Sequence, residues 1–119
     1  MTGYLLVGIG GIFGSLSRYL LGRIIAERAN TIIPIGTFFI NITGAFLLGI
    51  VYASGLNSSL QKLFADGFLG AYTTFSTFMY EGVNLFQEDE TLNALLYIIC
   101  SLIIGIVGFI MGIWTVKIY

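Results

Sequence analysis

The sequence predicts an all-α membrane protein of four transmembrane helices with a break in the third, and three observations lead there. Only 9% of the 119 residues are charged, five Lys/Arg against six Asp/Glu with no His, where an average soluble domain carries about 25%. Mean hydropathy is +0.97. The charges are also grouped, leaving uncharged stretches at 1–17, 29–61, 67–80 and 91–116. Eleven formal charges do not wet the surface of a globular protein of this size, which excludes a soluble single domain. A net charge of −1 lacks the basic excess of a nucleic-acid surface.

Each element follows from length and flanking residues. A helix needs about 20 apolar residues to cross the hydrocarbon core. The first span runs from about Tyr4 to Ala26 and tolerates Arg18 near its end. The second falls within 29–61, with Asn30 or Thr31 as cap candidates and Pro34 in the first helical turn, where proline is accepted. The third runs from about Leu60 to Leu85, opened by a capping box at Ser58-x-x-Gln61. It has only 14 uncharged residues between Asp66 and Glu81, about 21 Å of helix. That is too short for an isolated lipid-facing helix, so it is expected to be the span most buried in protein. Residues 91–116 give the fourth span, after a solvated acidic turn at Glu88-Asp89-Glu90. Residues 1–20 do not read as a cleaved signal, because Met1-Thr2-Gly3-Tyr4 carries no basic residue. Residues 1–119 read as a single four-helix transmembrane domain.

The cationic residues do not choose an orientation. With four spans, Lys62, Lys117 and the terminal amine lie on one side, and Arg23, Arg28 and, if it snorkels, Arg18 on the other. Lys/Arg bias orients membrane proteins, and a balance of about three against three implies insertion both ways, with opposed copies pairing as an antiparallel homodimer.

Polar residues inside the spans are the functional candidates. Thr37, Asn41 and Gly44 fall at i, i+4, i+7 on one face of span two; Asn41 is either interhelical glue or a donor to a solute. Span three contains Gly67, Gly70 and then Thr73-Thr74-Phe75-Ser76-Thr77-Phe78, four hydroxyls in five positions. This is a poor straight helix and a candidate break, of the kind tolerated at membrane depth where backbone lines a cavity or binds an ion. Phe75 and Phe78, at i, i+3, either pack against lipid or a neighbour or present positive ring edges to an anion. Tyr97, Ser101 and Gly105 share a face of span four. The Gly10/Gly14 and Gly108/Gly112 pairs are explained by close helix packing. Arg18 and Glu81 near the span ends either snorkel or stand in an aqueous vestibule. Cys100 is alone, so there is no disulfide framework and no thiolate metal site, and without His there is no imidazole base. The polar faces offer donors and ring edges but no mid-span carboxylate. That suits a small hydrogen-bonding anion better than a cation or a proton-coupled antiporter, which wants such a carboxylate. A small multidrug-type antiporter and a helical scaffold subunit are the competing readings.

The blocks Gly10-Gly11-x-x-Gly14-x-x-x-Arg18-Tyr19, Gly36-Thr37-Phe38-x-x-Asn41-x-x-Gly44-x-x-x-x-Gly49 and Gly67-x-x-Gly70-x-x-Thr73-Thr74-Phe75-Ser76-Thr77-Phe78 resemble those of the Fluc (CrcB) fluoride channels, in order and across all four spans. The resemblance implies a fluoride-selective channel and not an enzyme. It would be a multi-pass protein of the prokaryotic plasma or inner membrane, exporting fluoride passively and so giving fluoride resistance. It implies an antiparallel dual-topology homodimer with two pores along the subunit interfaces. Asn41 would donate to fluoride, and Phe75 and Phe78 would line the path with ring edges. Tyr97 would match the family's aromatic on the fourth span, and Ser76, Thr77 and Ser101 would supply a hydroxyl track. Gly70 and Thr73 would offer backbone carbonyls to a structural sodium ion at the dimer centre. Arg18 and Glu81 would lie nearer the pore mouths. Gly105, one turn beyond Ser101, would leave the hydroxyl track shorter than in those relatives that have Ser there.

Overall fold

The structure, a computed structural model, describes residues 2–29 and 31–118, and within them the chain is helical between short connections. Helix α1 covers Thr2–Arg28, α2 Ile35–Ala53 and α3 Ser58–Gln61. A π-helical segment Lys62–Leu69 continues α3 into α4, Gly70–Tyr72. Then come α5, Phe75–Gln87, and α6, Thr91–Ile118. Helices α1, α2 and α6 are each long and apolar enough to cross a membrane. The molecule measures 47 × 32 × 23 Å, so its long axis exceeds a hydrocarbon core of about 30 Å.

Apolar side chains such as Leu5, Ile12, Phe13, Ile106 and Trp114 lie on the outside, as lipid contact requires. The buried side chains fall into two clusters. Ile40, Leu69 and Tyr72 pack between α2 and the helix before the break. Phe78, Leu85, Ala94 and Tyr97 pack between α5 and α6. The third segment thus supplies Leu69, Tyr72, Thr74, Phe78 and Leu85 to the buried set, in line with its expected enclosure.

Close approach is set by glycine. A methyl group on Gly10 would meet the Leu63 carbonyl, and one on Gly14 the Phe68 carbonyl, so α1 lies against the backbone of the π-helical segment. Gly49 and Gly112 allow the same intimacy between α2 and α6, each facing a carbonyl of the other helix. Both Gly-x-x-x-Gly pairs therefore have a packing role for at least one member, as expected.

Several terminal details differ from the sequence reading. Asn57, not Ser58, caps α3: its Oδ1 accepts from the Leu60 N–H at 2.9 Å. Asparagine competes on equal terms with serine for that position, and with Leu60 three residues on, the cap forms without the reciprocal half of a capping box. Pro34 immediately precedes α2 instead of lying in its first turn, and α2 has no side-chain cap. The Thr31 hydroxyl donates to the Ile33 carbonyl at 2.8 Å, stabilising the connection and not the helix end. The other cap candidate, Asn30, lies outside the described residues. The π-helical segment was not expected at all. There the Gly70 N–H reaches back to the Ala65 carbonyl, an i→i+5 bond, directly before the break. The acidic turn is as expected, with Asp89 at φ 60°, a conformation that short polar residues tolerate.

Candidate functional site

The site begins at the break. Thr73 and Thr74 have extended backbones, with φ, ψ of −80°, 156° and −142°, 119°. Two side chains occupy the backbone groups this frees. Asn41 on α2 pairs with Thr74 in both directions: its Nδ2 donates to the Thr74 carbonyl at 3.0 Å and its Oδ1 accepts from the Thr74 N–H at 2.9 Å. Thr74 Oγ1 accepts from the Thr77 N–H at 3.2 Å and so caps α5. Gly44 makes the third contact, because a methyl group there would collide with the Thr73 side chain. The Asn41–Gly44 face of α2 thus seats the break.

Two carbonyls are left over. In an unbroken helix the Thr74 N–H would bond Gly70 and the Thr77 N–H would bond Thr73. Both donors are taken by side chains, so the Gly70 and Thr73 carbonyls lose their helical partners. Both residues line the same cavity on the open side of the chain. Neutral carbonyl oxygens stripped of donors suit a hard monovalent cation, and on that ground these residues fit a sodium ion.

Thr74 separates two cavities and lines both. The first, about 410 Å³, is bordered by Arg18, Thr37, Thr77 and Glu81. Thr37 Oγ1 donates to Glu81 Oε1 at 2.5 Å, tying α2 to α5. Arg18 and Glu81 therefore share one chamber. The second cavity, about 370 Å³, is lined by Asn41, Gly44, Thr73, Phe75, Phe78 and Ser101, among others, and no charged residue is among them.

The two phenylalanines have different settings. Their centroids are 6.2 Å apart and tilted by 53°, so the i, i+3 spacing does bring them together. Phe78 is buried and stacks obliquely on Tyr97, centroids 5.2 Å apart, whereas Phe75 is 73% exposed. The Tyr97 hydroxyl and Ser101 Oγ are buried without a hydrogen-bond partner among the described residues. Buried polar atoms are normally satisfied; of the two, Ser101 lines the second cavity, whereas Tyr97 lines neither and stands beside Thr37 and Glu81. Ser76 is exposed and borders neither cavity, whereas Thr77 borders the first. The hydroxyl candidates therefore fall in different places.

Sequence reasoning placed Asn41 on the right face but not its partner, and it did not anticipate Thr37 as the anchor of Glu81 or Thr74 as a cap. The one local signal was Thr74 itself, a residue type favoured as an N-cap, standing directly before the helix start at Phe75. The other pairings join residues 33 and 44 positions apart.

Apolar helices long enough to cross a membrane, packed around a broken helix with a cavity on either side of Thr74, define a multi-pass membrane protein. Residues 5–113 match the family model described as CrcB-like protein, Camphor Resistance (CrcB), and the chain belongs to that family. A relative from Clostridium acetobutylicum, named Fluoride-specific ion channel FluC 2, is 62% identical over 109 residues, covering 92% of this chain and 93% of the relative. One of the same name from Bacillus thuringiensis subsp. konkukian is 44% identical, covering 91% and 92%. A Fluoride-specific ion channel FluC from Rhizobium meliloti is 36% identical, covering 98% of each. All three are named as channels, not enzymes.

Proposed function

We propose that this protein is a fluoride channel of the bacterial plasma membrane, through which the anion leaves the cytoplasm passively and electrogenically, lowering cytoplasmic fluoride and giving resistance to it. The observation that carries the reading is the second cavity. Its mainly apolar wall, which includes the Phe75 and Phe78 rings, carries an amide and hydroxyls as its polar side-chain groups, with no carboxylate to repel an anion and no cation to trap it.

The chain's own groups supply the steps. Arg18 raises the local concentration of anions in the first chamber. Glu81, held by Thr37, is kept to one wall. Asn41 spends one Nδ2 hydrogen on Thr74 and has a second to offer the ion. Phe75 and Phe78 offer ring edges, which carry partial positive charge. Ser101, which lines the second cavity with an unpartnered hydroxyl, gives the ion a donor in place of its water, and Tyr97 backs the Phe78 ring. Selectivity follows because shedding water is compensated only for an ion small enough to meet these donors. Hydrogen fluoride crosses lipid neutral and ionises in the less acidic cytoplasm, so a passive anion path is enough for export.

Assembly as an antiparallel, dual-topology homodimer is part of the proposal. It is supported by the even division of cationic residues and by Phe75, which projects from the single chain where an opposed copy would cover it. In such a dimer the Gly70 and Thr73 carbonyls of both copies would hold a structural sodium ion, which would neutralise the carbonyl dipoles. A reporter fused to the C-terminus is expected on both sides of the membrane; finding it on one side alone removes dual topology.

The test of function uses liposomes containing only the purified protein and a fluoride electrode. Rapid fluoride efflux that depends on a compensating potassium path supports the channel. Proton-coupled drug movement would support an antiporter instead, and no flux would leave a scaffold subunit.

A further inference from the structure

A second contact between α2 and the break lies away from the ion path. Tyr72 is the last residue of α4, immediately before the extended Thr73. It is 5% exposed and its ring stacks on Phe68, with centroids 5.8 Å apart and planes 15° from parallel. Its hydroxyl is 2.9 Å from Thr43 Oγ1 on α2. The direction of that bond follows from hydrogen counting. Thr43 has one hydroxyl hydrogen, and its Oγ1 lies 2.8 Å from the Phe39 carbonyl and 3.1 Å from that of Ile40. A carbonyl accepts only, so Thr43 gives its hydrogen to its own helix and accepts from Tyr72.

From this geometry we infer that Tyr72 and Thr43 are positioning residues for the conduction path, a phenol-to-hydroxyl strut that fixes where the helix stops. The inference rests on the channel reading above. Neither residue borders the cavity that holds Asn41 and the phenylalanines. Both act through Thr73, which follows Tyr72 directly and whose side chain is seated against Gly44, one residue after Thr43. The Asn41–Thr74 pair holds the far side of the break, and the Tyr72–Thr43 bond holds the near side. With the near side released, α4 turns about its axis and carries the Thr73 carbonyl and the start of α5 with it. Phe75 then loses its place beside Phe78, while the apolar packing of Tyr72 against Phe68 and Ile40 survives.

The experiment compares Tyr72→Phe, Thr43→Val, Thr43→Ser and the double variant Tyr72→Phe/Thr43→Val in liposomes, with assembly checked by size-exclusion chromatography. Initial fluoride efflux per incorporated channel is read at several fluoride concentrations. One buried hydrogen bond corresponds to roughly fivefold. The expected result is a maximal flux about fivefold lower in Tyr72→Phe and in Thr43→Val, with the half-saturating fluoride concentration unchanged. The double variant should be no worse than either single one, since both remove the same bond, and Thr43→Ser should restore wild-type flux. Flux within twofold of wild type in Tyr72→Phe overturns the strut. So do losses that multiply in the double variant. If Thr43→Val does not assemble, Tyr72→Phe decides alone, because it keeps the ring. No flux from the wild-type protein would instead overturn the channel reading itself.

Discussion

Replacing Asn41 by Asp tests the clamp at the break with almost no change of shape. Asp keeps the oxygen that accepts from the Thr74 N–H at 2.9 Å. It puts a second oxygen where Nδ2 now donates to the Thr74 carbonyl at 3.0 Å, so two acceptors face each other. The variant loses one hydrogen bond, worth about 1 kcal/mol net, and leaves a half-buried carbonyl unsatisfied at about 1–3 kcal/mol. A total of about 2–4 kcal/mol changes the ratio of held to released break by roughly thirtyfold at the least. The same change removes the amide hydrogen offered to the ion, so flux should fall by at least that factor. The assay is initial fluoride efflux per incorporated channel, with Thr74→Ser as control. Serine retains both the backbone pairing and the cap on α5, and should stay within about threefold of wild type. An Asn41→Asp channel that conducts within threefold of wild type would refute both the clamp and the donor role.

Three further outcomes are expected. Phe75→Ile or Phe78→Ile should abolish fluoride efflux while the protein still assembles; Phe78→Ile also loses its ring pairing with Tyr97, worth about 0.5–1.5 kcal/mol, which thermal unfolding in detergent will show. Gly14→Ala should lower thermal stability and yield sharply, because its methyl meets the Phe68 backbone, whereas Gly8→Ala, which faces open space, should be neutral or stabilising by up to about 1 kcal/mol. Exchange of sodium for N-methylglucamine should lower the unfolding temperature, with recovery on sodium addition, if the Gly70 and Thr73 carbonyls hold the ion.

What could be read from the sequence was what depends on local spacing. The apolar runs located α1, α2 and α6, and the Thr73–Thr77 hydroxyls between glycines located the break. The i, i+4, i+7 spacing put Thr37, Asn41 and Gly44 on one face, and each of the three meets the third segment. What escaped were the partners. Asn41 reads as an amide looking for a solute, yet its oxygen and one hydrogen are occupied by the Thr74 backbone. Thr43 is one more threonine in an apolar helix until Tyr72, 29 positions away, reaches it. The π-helical segment was also invisible, because one extra residue per turn leaves no mark on composition. Its setting against Gly10 and Gly14 of α1 is a tertiary matter. Even the Asn57 cap shows the limit: two good capping residues stand side by side, and local chemistry does not choose between them.

The most direct measurement is the reversal potential of current through the purified protein in a planar bilayer under a tenfold fluoride gradient, with chloride and protons each varied in turn. The expected result is a reversal near the fluoride equilibrium value, roughly 59 mV for a univalent ion, unmoved by chloride or pH gradients. A reversal that follows chloride or protons, or that stays at zero, would contradict a fluoride-selective pore.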